Sequence, residues 1–267
     1  MVEYYPSYLV FREFTRRHMH VCVCGEGTEL IFEVHSRSRS LIDWDVMDHY
    51  LRRAVPLIRG WSPMEKPPKA VRVKVYEDYT PKRLPPKGSP LTPDNINSGL
   101  TYLHGDTDGT KIEIFRMEEF PKVLCHELLH VFGVAIPLHA ELVLSAKAAE
   151  IFGVQHLHTL RINEALTELN ATVLNAAILS SGSLSNRLAE EYRHSADTIA
   201  RMRAHFDLPP GSWGKWAEST HAFSYMVLKH LFMGEVLGSK DAFNRVQKGG
   251  GRRFTMTKTA LNFKKLT

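Results

Sequence analysis

Apolar and polar residues alternate from about Tyr8 to Val34, the period of two that a half-buried strand requires. One break interrupts the run, at Gly25-Glu26-Gly27-Thr28, between VCVC and ELIFEV. Alternation on both sides of a glycine-bearing turn predicts a β-hairpin. From Trp44 to Leu57 the period lengthens, and Val46, Tyr50, Leu51, Ala54 and Leu57 form one stripe of a helix. Ala70 to Tyr76 (AVRVKVY) returns to strand, and Pro81 to Pro93, with five prolines, reads as an irregular surface loop. Two short strands, Gly99 to His104 and Lys111 to Phe115, flank a turn at Gly105-Asp106-Thr107-Asp108-Gly109. Next comes a helix signal: Glu118, Glu119 and Pro121 stand where a helix would start. Val123, Leu124, Leu128, Val131 and Phe132 follow at helical spacing, and Gly133 supplies a stop. Helical patterns dominate from Leu138 onward, broken near Gly182, Pro209–Gly211 and Gly249–Gly251. The expected class is α+β: an N-terminal mixed-sheet region, a helix at 120–132, and a mainly helical C-terminal half. The expected division is 1–135, 136–248 and a tail at 249–267.

Composition narrows the setting. A chain of 267 residues with 43% hydrophobic content can bury a substantial core. No stretch approaches the roughly 18 consecutive apolar residues of a membrane span. The start, MVEYYPSYLVFREF, lacks a basic segment followed by a long apolar core, so no secretory signal is expected and the setting is read as intracellular. Three cysteines, Cys22, Cys24 and Cys125, make no disulfide framework and have no CxxC spacing. They read as packing residues in a reducing compartment. The net charge of +5 is partly local, with Arg252, Arg253, Lys258, Lys264 and Lys265 crowding the C-terminus. Such a tail can touch nucleic acid or an acidic partner. The chain has no helix-turn-helix, zinc-finger or RNA-binding signature.

The chemistry concentrates in His126-Glu127-Leu128-Leu129-His130. On a helix the two histidines stand at i and i+4 on one face, within reach of one zinc ion, with Glu127 beside them as a candidate general base. A catalytic zinc takes three protein ligands. The metzincin pattern would place the third at 136, where the chain has Ile, so that register fails. His139, Glu141, Glu150, His156 and His158 lie near in sequence, and Glu164 with Glu168 shares one face of a later helical segment.

Asn163-Glu164-Ala165-Leu166-Thr167-Glu168 resembles the second zinc helix of the thermolysin-like gluzincins, with its Asn-Glu-x-x-Ser/Thr-Asp/Glu pattern. The resemblance spans about Phe120 to Gly182 and implies a zincin-like fold and a peptidase. It makes Glu164 the third zinc ligand and Glu168 the carboxylate that supports a ligating histidine. It also implies an edge strand before the zinc helix on which extended peptide pairs; Gly99 to His104 is the candidate. The Gly-x-Met-Glu-Asn signature of many zinc aminopeptidases is missing, which favours an endopeptidase. In this class a His or Tyr commonly stabilises the oxyanion, and His221 and Tyr225, at i and i+4, are the candidates.

The expected function is therefore hydrolysis of peptide bonds with Zn2+ as cofactor and a peptide or protein as substrate. The metal ligands are His126, His130 and Glu164, the base is Glu127, and His221 or Tyr225 is the oxyanion donor. Two alternatives stand beside it: an inactive HExxH protein serving as a binding or structural component, and a nucleic-acid-associated factor using its basic tail.

Overall fold

The computed structural model describes residues 7, 9, 11–102, 111–154, 160–180 and 182–238. Five sequence expectations fall wholly or partly outside them: the start of the alternation near Tyr8, the strand end at His104, the turn at 105–109, His156 with His158, and the basic tail at 249–267. Within them the chain is α+β, with a five-stranded mixed sheet and seven α-helices.

The hairpin forms from β1 (Arg16–Cys24) and β2 (Thr28–Ser36), antiparallel and joined by a 3-10 turn at Gly25–Gly27. Their alternation works as the pattern requires. Cys22, Cys24, Leu30, Phe32 and Val34 point into the core, while Met19, Val21 and Val23 stay exposed. Helix α1 (Trp44–Trp61) begins at Asp43, whose side chain accepts the Val46 N–H, and runs through Pro56 one turn beyond the expected end. Strand β3 (Ala70–Tyr76) lies parallel to β2. Pro93 proves to open a short helix, α2 (Pro93–Ile96), because Thr92 and Asn95 form a reciprocal cap before it. Strands β4 (Gly99–Tyr102) and β5 (Lys111–Ile114) pair antiparallel, β5 lies parallel to β3, and the order is β1-β2-β3-β5-β4. Helix α3 (Phe120–Val131) packs on α1, β4 and β5. It stops at Gly133, whose φ of +65° is a left-handed conformation natural to glycine.

Four helices follow: α4 (Leu138–Phe152), α5 (Ile162–Leu179), α6 (Leu184–His205) and α7 (Lys229–Val236). The chain resolves into two compact units. The first holds Met1–Leu84, Thr92–Val134 and Asn170–Leu184. Its core joins Leu30, Phe32, Val73 and Ile112 of the sheet to Leu51, Ile58, Leu124 and Leu128 of the helices, with Ala171, Leu174 and Ile178 from the second half of α5. The second holds Pro85–Leu91, Ala135–Leu169 and Ser185–Thr267. There Phe223 meets Phe152, Trp213 and Trp216 edge to face, with ring centroids 5.3–5.5 Å apart. Among the described residues no helix is long and apolar enough to cross a membrane.

Candidate metal centre

Helix α3 is apolar almost all round: Val123, Leu124, Cys125, Leu128, Leu129 and Val131 are buried along with Phe120. Such a helix sits inside the fold, so its polar side chains are buried with it. His126 and Glu127 are 7% and 6% exposed. Burying polar groups without partners costs roughly 1–3 kcal/mol each, so what surrounds these residues decides whether they are sustained. His130, one turn on from His126, turns its ring edge-on to it with centroids 4.9 Å apart. Their Nε2 atoms are 3.2 Å apart.

Glu164 enters from the first turn of α5 and is half-buried. One ligand atom each from His126, His130 and Glu164 lies within 4.8 Å of the others, and this group can hold a metal ion. Two imidazole nitrogens and a carboxylate oxygen are donors suited to divalent transition metals.

The start of α5 is fixed by Asn163. Its Nδ2 donates to Glu141 Oε2 at 2.7 Å and to Ile136 O at 3.3 Å, and its Oδ1 accepts the Ile136 N–H at 2.9 Å. The buried Glu141 on α4 is thus a support for Asn163. Glu164 Oε2 accepts a hydrogen bond from the Tyr225 hydroxyl at 3.1 Å. Tyr225 lies in a π-helical turn, Ser224–Leu228, where the ladder widens and Lys229 N–H reaches Ser224 O. That turn is tied to the base of α5 by the Arg161 N–H, which donates to Ser224 Oγ at 2.8 Å.

Comparison with models of protein families, with characterised proteins and with solved structures found no match to this chain. The centre therefore has to be read from its own residues. Glu168 sits one turn after Glu164 on α5, half-buried. His221 meets Tyr225 edge-on with centroids 6.2 Å apart, and Tyr225 bonds Glu164. Of the other residues near in sequence, His139 and Glu150 are exposed on α4 and Glu141 serves Asn163, so none of the three joins the group.

Sequence reading missed Thr101 on β4, whose hydroxyl donates to Glu127 Oε2 at 2.7 Å. It also missed the Asn163–Glu141 pair. Asn163 had a signal, its place in the Asn-Glu pattern; Thr101 had none.

Proposed function

We propose that the protein is a zinc-dependent peptidase of zincin-like architecture, acting as an endopeptidase. The observation that carries this reading is the convergence of His126, His130 and Glu164, with Glu127 between the two histidines in sequence. Zinc suits the group. Zn–N bonds of about 2.0–2.1 Å at a tetrahedral angle hold two nitrogens about 3.3–3.4 Å apart; the Nε2 atoms are 3.2 Å apart. Bound there, zinc supplies Lewis acidity, making a water nucleophilic near neutral pH and polarising a carbonyl.

The remaining work belongs to side chains. The Glu127 carboxylate takes the proton of the attacking water and returns it to the leaving amine. The Tyr225 hydroxyl, whose one proton goes to Glu164 Oε2 in the free protein, would turn from it to donate to the carbonyl oxygen as negative charge grows there. Strand β4, at the end of the sheet order and packed against α3, offers main-chain groups for an extended substrate.

Two measurements test the reading. Metal analysis of the purified protein should give about one zinc per chain, as a three-ligand site requires. Glu127→Gln should keep that zinc and abolish cleavage of a peptide library. Absence of zinc under native purification would favour an inactive HExxH protein, and cleavage retained by Glu127→Gln would remove the general-base assignment.

A further inference from the structure

We propose that strand β4 positions the general base, with Thr101 as the residue that holds Glu127 and Gly99 as a site that must carry no side chain. The inference rests on the peptidase reading for its catalytic meaning, but its geometry stands apart from any metal. Glu127 is only 6% exposed, so its carboxylate needs a donor. Gly99 and Thr101 are two apart on a strand and so face the same side, toward α3.

Each deals with one carboxylate oxygen. Thr101 Oγ donates its one proton to Oε2 at 2.7 Å, and the Glu127 carbonyl oxygen, 3.3 Å away, is the weaker alternative acceptor. A Cβ on Gly99 would stand 3.1 Å from Glu127 Oε1, 3.1 Å from Val123 Cγ1 and 3.2 Å from Glu113 O. The last is a backbone atom of the paired strand and the second belongs to a packed core valine, so the carboxylate is the neighbour free to yield. An alanine at 99 would therefore displace Oε1 from where Thr101 and the strand leave it. A base that must meet a water within hydrogen-bond reach depends on that placement.

The test uses full-length protein loaded with zinc and a peptide substrate, in Thr101→Val, Thr101→Ser and Gly99→Ala variants. Valine keeps the shape of threonine and removes the donor; serine keeps the donor. Thr101→Val is expected to lower kcat about tenfold or more, with KM and zinc content held and the melting temperature lowered by the loss of a buried hydrogen bond, while Thr101→Ser stays within about threefold of the parent. Gly99→Ala should follow Thr101→Val. A Thr101→Val kcat within about twofold of the parent overturns the proposal, as does a Thr101→Ser loss equal to that of valine. A second measurement needs neither metal nor turnover: urea unfolding of the metal-free Thr101→Val, Glu127→Ala and double variants. If Thr101 holds the carboxylate, the two shifts in midpoint are non-additive; additive shifts overturn the contact. Should the parent cleave no peptide at all, the peptidase reading falls, and this cycle still decides whether Thr101 holds Glu127.

Discussion

Asn163→Asp exchanges one atom and tests the support of the centre sharply. Asn163 Nδ2 sits 2.7 Å from Glu141 Oε2, and Glu141 is buried. An aspartate there sets a second carboxylate oxygen at that distance. At an effective dielectric of about 20 the repulsion would be about 6 kcal/mol. The pair avoids it by holding one proton between its carboxyls, so the cost at pH 7 is capped by the cost of protonating an ordinary carboxyl with pKa near 4.3, about 3.7 kcal/mol. The folded variant then binds more protons than the unfolded chain, so its stability falls as pH rises through this window.

The deficit against the parent should be near zero at about pH 4. It should grow by about 1.4 kcal/mol per pH unit, reaching roughly 3–4 kcal/mol at pH 7. Urea unfolding at pH 4, 5, 6 and 7 reads it directly. Adding Glu141→Gln should restore most of the loss, because the amide again pairs with a carboxylate. Zinc affinity should fall about 10- to 100-fold alongside, since Glu164 rides on the turn that Asn163 fixes. A deficit that does not vary with pH, or that Glu141→Gln leaves untouched, refutes the assigned hydrogen bond.

Tyr225→Phe should lower kcat about 100-fold while one zinc per chain remains, as for loss of an oxyanion donor; a change of only a few-fold would confine Tyr225 to holding Glu164. Burial pushes the Cys125 thiol up to about 12, against a smaller opposing effect of its Tyr50 hydrogen bond, and Cys22 and Cys24 are buried as well. A thiol reagent at pH 8 should thus label none of the three in the native protein and all three in urea, and fast native labelling would contradict that packing.

What the sequence made legible follows periodicity. The hairpin, α1, β3 and α3 each carry a period of two or 3.6 over seven residues or more, long enough for one burial pattern to dominate. Pro93 was misread because proline marks both loops and first helical turns, and only the Thr92–Asn95 cap decides which. Glu164 was legible as part of a local pattern around a helix start. Thr101 was not, because its bond to Glu127 joins residues 26 positions apart through the packing of α3 on β4. The Tyr225–Glu164 bond was equally out of reach, because it joins residues 61 positions apart.

The balance of polar groups favours a cation at this centre over a buried histidine pair. Two neutral imidazoles 3.2 Å apart can share one N–H between them, and that bond asks nothing of α5. Yet Glu164 is carried to the same point, and its carboxylate also accepts a hydrogen bond from Tyr225. A carboxylate brought to a pair of imidazoles is a costly arrangement for a site that exists only for packing, where apolar residues of similar volume would serve as well or better. A divalent ion reverses the sign of each contact: both lone pairs and the carboxylate become ligands, and the Tyr225 hydroxyl becomes a donor beside an electrophile. The supports point the same way, since Asn163 with Glu141 and Arg161 with Ser224 anchor the two elements that bring Glu164 and Tyr225 together.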